Sequence, residues 1–117
     1  MQPLRRTLAA MAQPIERVTM FKIAKKEDRE KVLEAYKKVK QTAVKDGKPY
    51  ILSCEAGHAA DEARAQGWTL ACKTTFASLQ DMEYYDTQCE AHKMLKQVAI
   101  PFKEDVMTVW FESAVRD

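Results

Sequence analysis

The order of hydrophobic patterns along this chain predicts an α+β fold with the elements strand, helix, strand, strand, helix, strand. Short segments of apolar and β-branched residues indicate four strands, and two longer segments with apolar residues every three or four positions indicate helices. The link between the middle strands is too short for a crossover helix, so we expect these strands to be antiparallel neighbours. At 117 residues the chain is long enough for one domain with its own core.

The first strand is predicted over residues 17–23, RVTMFKI, which are rich in β-branched and aromatic side chains. A helix follows, with acidic residues in its first turn, where they interact favourably with the helix dipole. Asp46, Gly47 and Pro49 are predicted to end this helix, with Gly47 in a left-handed conformation. The positions expected to form its buried face are Val32, Leu33, Tyr36, Val39 and Ala43.

The second and third strands are predicted over residues 50–56 and 68–76, and the loop between them contains His58. The second helix is predicted over residues 79–99, with Ser78 as its N-cap. Residues 86–88 are Asp, Thr and Gln, which favour helices only weakly, so the helix can pause there. The last strand is predicted over residues 106–112.

One face of the second helix carries the candidate catalytic residues. Tyr85 and His92 are the side chains on this face that we expect to transfer protons. The alternative, which is the commoner case for such a face, is that both are core residues with one satisfied hydrogen bond each. The seven positions of the face are Leu79, Met82, Tyr85, Cys89, His92, Leu95 and Ala99.

Composition excludes several classes of function. The net charge is +2 with both signs interspersed, which does not indicate a nucleic-acid-binding surface. No apolar run approaches the length of a membrane span. Three cysteines stand far apart, which argues against a disulfide framework and indicates a reducing, cytoplasmic setting. Cys89 and His92 have the spacing of half a metal site, but no second pair completes it, so we do not expect them to be metal ligands.

The ends of the chain lie outside the predicted domain of residues 17–112. Residues 1–16 contain Arg5 and Arg6 and no acid before Glu16, which is a weak feature of a mitochondrial presequence. We interpret this stretch instead as a flexible or partner-contacting arm. Residues 113–117 form a short C-terminal tail.

The predicted element order is that of the ferredoxin-like fold, a four-stranded antiparallel sheet with both helices on one face. The first and last strands are apolar on both faces, whereas the helices can cover only one. A second copy of the chain is the natural cover for the other face. The sequence therefore predicts a homodimer packed sheet against sheet.

Three segments, RVTMFKI, EAYKK and GWTLACKTTFASLQDMEYYDTQCEAHKML, resemble the stress-responsive dimeric α/β-barrel (Dabb) domain family, most closely its fungal single-domain members. The resemblance covers roughly residues 17–112. In that family two ferredoxin-like subunits pack their sheets into a barrel, which agrees with the dimer expected from the strands.

The family includes the plant cyclase that forms olivetolic acid by aldol closure of a linear polyketide, without metal or organic cofactor. The resemblance aligns its catalytic tyrosine with Tyr85 and, after a shift of one residue, its catalytic histidine with His92. Two histidines of that enzyme are replaced here by Arg17 and Leu70, and a His-Pro pair by Cys89 and Glu90. The implied ligand-binding positions are Val32, Leu33, Tyr36 and Cys72, to which the helix face adds Met82.

Three functions are compatible with these residues. The first is a cofactor-free cyclase or lyase acting on a small ketide or aromatic compound, with His92 as base and Tyr85 as hydrogen-bond donor. On a continuous helix the two would lie about 10.5 Å apart, and a helix break would shorten this distance. The second is a non-catalytic stress-induced protein that binds a small hydrophobic ligand or none. The third is a haem protein with His92 as axial ligand.

Overall fold

A computed structural model describes residues 13–115, so most of the predicted N-terminal arm and the end of the tail lie outside the described residues. The described part contains a four-stranded sheet, three α-helices and a 3-10 turn over Ala63–Ala65. The strands are β1 (Ile15–Ile23), β2 (Ile51–His58), β3 (Leu70–Phe76) and β4 (Lys103–Glu112), and the helices are α1 (Lys26–Thr42), α2 (Leu79–Thr87) and α3 (Glu90–Ala99).

The sheet has the strand order β2-β3-β1-β4, and every neighbouring pair is antiparallel. The predicted ferredoxin-like fold is therefore confirmed, including the pairing of β2 with β3. Central strand β1 alternates strictly between buried and half-buried positions. Its buried positions face the helices, and they are Ile15, Arg17, Thr19, Phe21 and Ile23.

Several boundaries differ from those predicted. Strand β1 begins two residues earlier than predicted, and β2 continues through His58, which pairs with Leu70 rather than lying in a loop. Helix α1 ends at Thr42 because Ala43 adopts an extended conformation. Gly47 is left-handed, as predicted, but it serves a tight turn between Lys45 and Lys48 instead of ending the helix.

The predicted second helix is divided in two by a break at residues 88–89. Cys89 is extended, so it separates α2 from α3. The backbone N–H groups of Gln88 and Cys89 both donate to the carbonyl oxygen of Tyr84. In an unbroken helix the N–H of Cys89 would instead donate to Tyr85. The pause predicted near residues 86–88 is confirmed as a complete break, and the expected N-cap, Ser78, accepts a hydrogen bond from the backbone of Asp81.

The face of the sheet opposite the helices is apolar and uncovered in the single protomer. All ten residues of β4 are exposed. Val109, which is 53% exposed, pairs with Val18 of β1, and both point away from the helices. Met107 and Phe111 lie on the same face of β4. The apolar second face expected from the sequence is therefore present.

The turn after α1 provides a test of local backbone conformation. Gly47 has φ of +77°, and a Cβ at this position would meet no other atom within 4 Å. Gly47→Ala should therefore lower the free energy of unfolding by about 1–2 kcal/mol through backbone strain alone. Urea unfolding measures this change. The control is Lys48→Ala at an exposed position of the same turn, for which we expect a change within about 0.5 kcal/mol; equal effects of the two substitutions would contradict the explanation.

Candidate functional site

The helix break places the imidazole of His92 directly against the ring of Tyr85. The ring centroids are 3.8 Å apart and the ring planes differ by 11°. Nδ1 of His92 lies 2.9 Å from the carbonyl oxygen of Tyr85. Because a carbonyl can only accept, Nδ1 of the neutral ring carries the hydrogen and Nε2 keeps its lone pair. The two candidate catalytic residues are thus in contact, far closer than a continuous helix would allow.

Burial fixes the protonation state of both side chains. His92 is only 5% exposed, and this burial lowers its pKa to about 4, although the hydrogen bond to Tyr85 acts in the opposite direction. Burial also raises the pKa of the Tyr85 hydroxyl well above its usual value, with Arg17 opposing. At neutral pH the imidazole is uncharged and the phenol keeps its proton. Within residues 13–115 the Tyr85 hydroxyl is fully buried and has no hydrogen-bond partner.

An ion pair between the buried Arg17 and the half-exposed Asp86 adjoins the two rings, and sequence reasoning did not identify it as part of the site. Arg17 is 8% exposed, and its Nη2 lies 2.9 Å from Oδ1 of Asp86. Its Nη1 donates to the hydroxyl of Thr19 at 2.9 Å. The guanidinium carbon lies 5.2 Å from the centroid of the Tyr85 ring. The sequence does contain a signal for this residue, because Arg17 alternates in register with the inward, apolar positions of β1.

A cavity of about 290 Å³ lies between α3 and the β1–β4 side of the sheet. Since Nδ1 of His92 is bound to backbone, Nε2 is the ring nitrogen that a ligand in the cavity would meet. The cavity combines an apolar wall with a cluster of charged side chains. It is lined by Arg17, Thr19, Phe21, Tyr36, Asp86, His92, Leu95, Lys96, Ala99, Ile100, Lys103, Val106 and Thr108.

The remaining candidate residues occupy three environments. Tyr36 lines the His92 cavity, and it also lines a second cavity of about 580 Å³ on the β2 side, together with Leu33. Val32, Cys72 and Met82 are buried in the hydrophobic core. Burial and the adjacent Cys72 thiol raise the pKa of the Tyr36 hydroxyl well above its ordinary value. The structure therefore brings together Tyr36, Tyr85 and His92.

Two further properties of residues 13–115 bear on the site. These residues contain no group of three His, Cys, Asp or Glu side chains arranged to hold a metal ion. Among the helices described, none is both long and apolar enough to cross a membrane.

Comparison with known proteins identifies the family. The profile of the stress-responsive A/B barrel domain (Dabb) matches residues 15–113. The chain belongs to this family. A relative of the Dabb chain, the "Fusaristatin A biosynthesis cluster protein" of Gibberella zeae, is 44% identical over 104 residues, which cover 88% of this chain and 75% of the relative. The family membership expected from the sequence is confirmed, whereas the more distant similarity to the olivetolic acid cyclase stays a prediction.

Solved structures share the Dabb chain's fold at low sequence identity. A hydroxynitrile lyase from Passiflora edulis is 14% identical with a TM-score of 0.73, covering 91% of this chain and 98% of the lyase. A dimeric ferredoxin-like protein of unknown function from Thermobifida fusca is 16% identical with a TM-score of 0.72, covering 87% and 92%. A second dimeric protein of this fold and of unknown function, from Bacteroides fragilis, has a TM-score of 0.66, is 19% identical and covers 86% and 96%.

The low pKa of His92 predicts a specific dependence of stability on pH. The folded pKa of about 4 lies below the unfolded value of about 6.5, so the unfolded state binds a proton first as the pH falls. The stabilisation is complete above about pH 6.5 and is lost progressively towards pH 4. Relative to His92→Gln, which cannot titrate, the wild type should lose about 3 kcal/mol of unfolding free energy between pH 7.5 and 4.

Urea unfolding of both proteins across this range measures the difference. Proton NMR of the His92 ring provides a direct second readout. A His92 titration midpoint near 6.5, with parallel pH profiles for the two proteins, would contradict the buried neutral imidazole.

Proposed function

We propose that this Dabb protein is a cofactor-free cyclase or lyase acting on a small ketide or aromatic compound bound in the His92 cavity. The observation that supports this proposal most directly is the neutral imidazole of His92. Its Nδ1 is hydrogen-bonded to the backbone, so the lone pair of Nε2 is free to accept a proton from a ligand in the cavity. The name of the Gibberella zeae relative places that protein in a biosynthesis cluster, which supports a role in making a small molecule.

The proposed chemistry uses one base and one donor. Nε2 of His92 takes a proton from a carbon beside a carbonyl group, so the imidazole becomes an imidazolium whose Nδ1–H still donates to the backbone of Tyr85. We assign Tyr85 as the donor to the enolate oxygen that forms. Its hydroxyl is buried and Tyr85 does not line the cavity, so this step requires a small shift of the His92 ring or of the ligand towards Tyr85. In ring closure the enolate carbon attacks a second carbonyl, and the imidazolium returns its proton to the resulting alkoxide.

The second candidate is a non-catalytic protein that binds a small hydrophobic ligand. Two observations favour it: burial lowers the pKa of His92 to about 4, which makes the imidazole a weak base, and Tyr85 is not among the residues that line the cavity. Either candidate fits the cavity better than haem does. About 290 Å³ is at the lower end of small-molecule sites, which favours a compact ligand over a porphyrin.

We also propose that the functional unit is a homodimer formed sheet against sheet, in the cytoplasm. Solved structures of the same fold are described as dimeric, and the apolar face of β1 and β4 is uncovered in one protomer. A second copy would bury Val109, Met107 and Phe111. The cytoplasmic assignment is supported by the three cysteines, all of which are free thiols.

Proton abstraction can be measured without knowing the natural substrate. We expect the wild type to accelerate hydrogen–deuterium exchange at C2 of ethyl 3-oxooctanoate, whose two carbonyls flank the exchanging carbon. Exchange is followed by proton NMR in deuterated buffer at a pD where the uncatalysed reaction is slow. His92→Gln should reduce the catalysed rate about 100-fold or more, and Tyr85→Phe should reduce it while keeping the ring stack.

The matched control is His58→Gln, because His58 is exposed, does not line the His92 cavity and receives the same substitution. This variant should catalyse exchange of the ester at the wild-type rate. If the wild type does not accelerate the exchange, or if His92→Gln accelerates it as much as the wild type does, the catalytic proposal fails. The non-catalytic binding protein then becomes the better description.

The proposed dimer is tested by a charge on the uncovered face. Val109→Lys should convert the protein to monomers at micromolar concentration, because burying an unpaired ammonium between apolar sheets is unfavourable. Light scattering after size-exclusion chromatography measures the mass. Met94→Lys is the control, since Met94 is 63% exposed on α3 and away from the sheet; this variant should stay dimeric. A wild-type mass near 13.4 kDa would contradict the dimer.

A further inference from the structure

The proposed acid–base chemistry leaves the charges of the cavity unexplained. Arg17, Lys96 and Lys103 line it against a single acid, Asp86, while His92 is neutral. We propose that the cavity takes an organic carboxylate with an apolar tail and that Arg17 anchors its carboxylate group. This inference rests on the proposed function only in that both use the same cavity.

Arg17 has the unused donors that such a ligand requires. A guanidinium carries five N–H groups, and within residues 13–115 two of its nitrogens have side-chain partners, Thr19 and Asp86. The two terminal nitrogens each retain a second N–H for a ligand in the cavity, whereas Nε, which has no partner in this part of the chain, is fully buried. A buried cation with unmet donors is costly, and a carboxylate can satisfy several N–H groups of one guanidinium at once.

The charge balance of the cavity also favours an anionic ligand. Three cations and one anion give its lining a net charge of +2, which equals the net charge of the whole chain. Lys96 is held at this site because its ammonium donates to the backbone carbonyl of Asp86 at 3.2 Å. A concave site with an excess of one sign raises the local concentration of ligands of the opposite sign.

The positions of the charged and apolar groups give the ligand an orientation. The guanidinium of Arg17 lies 5.2 Å from the centroid of Tyr85, so a carboxylate anchored there is placed beside the Tyr85–His92 pair. The tail then meets the apolar wall of the cavity. This wall is formed by Phe21, Leu95, Ala99, Ile100 and Val106.

A matched pair of compounds isolates the effect of ligand charge. We compare 3-phenylpropanoate with 3-phenylpropanamide, which differ in charge but little in shape, by calorimetric titration and by the NMR signals of the His92 ring. The wild type should bind the carboxylate at least about tenfold more tightly, as expected for charge-assisted hydrogen bonds. Arg17→Gln should abolish this difference in affinity without weakening binding of the amide.

Asp86→Asn provides an independent variant that keeps Arg17. Because Asp86 competes for the guanidinium, its neutralisation should strengthen binding of the carboxylate several-fold and leave the affinity for the amide unchanged. A rise in salt concentration should weaken binding of the carboxylate but not of the amide. This variant keeps the proposal testable even if Arg17→Gln does not fold.

Failure of this inference is distinguishable from failure of the proposed function. If both compounds bind with equal affinity and both perturb the His92 ring, the cavity is a ligand site but the carboxylate assignment is wrong. The assignment is also wrong if neither compound binds at millimolar concentration. In both cases proton abstraction from the uncharged ester still decides whether His92 is a base.

Discussion

The site depends on one hydrogen bond, from Nδ1 of His92 to the carbonyl oxygen of Tyr85. Ending α2 at Thr87 leaves carbonyl groups of its last turn without their usual helical partners. Tyr84 accepts from two backbone N–H groups, Tyr85 accepts from His92, and Asp86 accepts from the ammonium of Lys96. The break is therefore stabilised by the side chains that it brings together. The same bond selects the tautomer of His92 and holds the imidazole parallel to the tyrosine ring.

The ion pair between Arg17 and Asp86 links this helix end to the sheet. Asp86 lies in the last turn of α2, where a negative charge is unfavourable because the carbonyl end of the helix dipole is also negative. The guanidinium of Arg17, which is held on β1, offsets the negative charge of Asp86 and the negative end of the helix dipole. Replacing only one partner would leave a charge that is poorly compensated, so this pair constrains where α2 can end relative to the sheet.

Much of the fold could be predicted from local patterns, because alternation and helical periodicity are properties of neighbouring residues. The element order, the antiparallel pairing and the pause near residues 86–88 all follow from such patterns. The contact between Tyr85 and His92 could be anticipated only as a consequence of a break, since its geometry depends on how Gln88 and Cys89 turn the chain. The pairing of Arg17 with Asp86 spans 69 positions, and no local pattern encodes it. The end of α1 was misplaced because the signals at Asp46 and Gly47 belong to the next turn.

The two proposals for the cavity are connected through the charge on His92. Burial makes the imidazole neutral at physiological pH, and the same burial makes it a weak base in the free protein. Arg17 also lowers the pKa of His92, because a nearby cation opposes protonation. A carboxylate bound to Arg17 would neutralise that cation and place a negative charge near the imidazole. Both effects raise the pKa of His92, so the proposed ligand would increase the basicity that the proposed reaction needs, at the moment when a substrate is present.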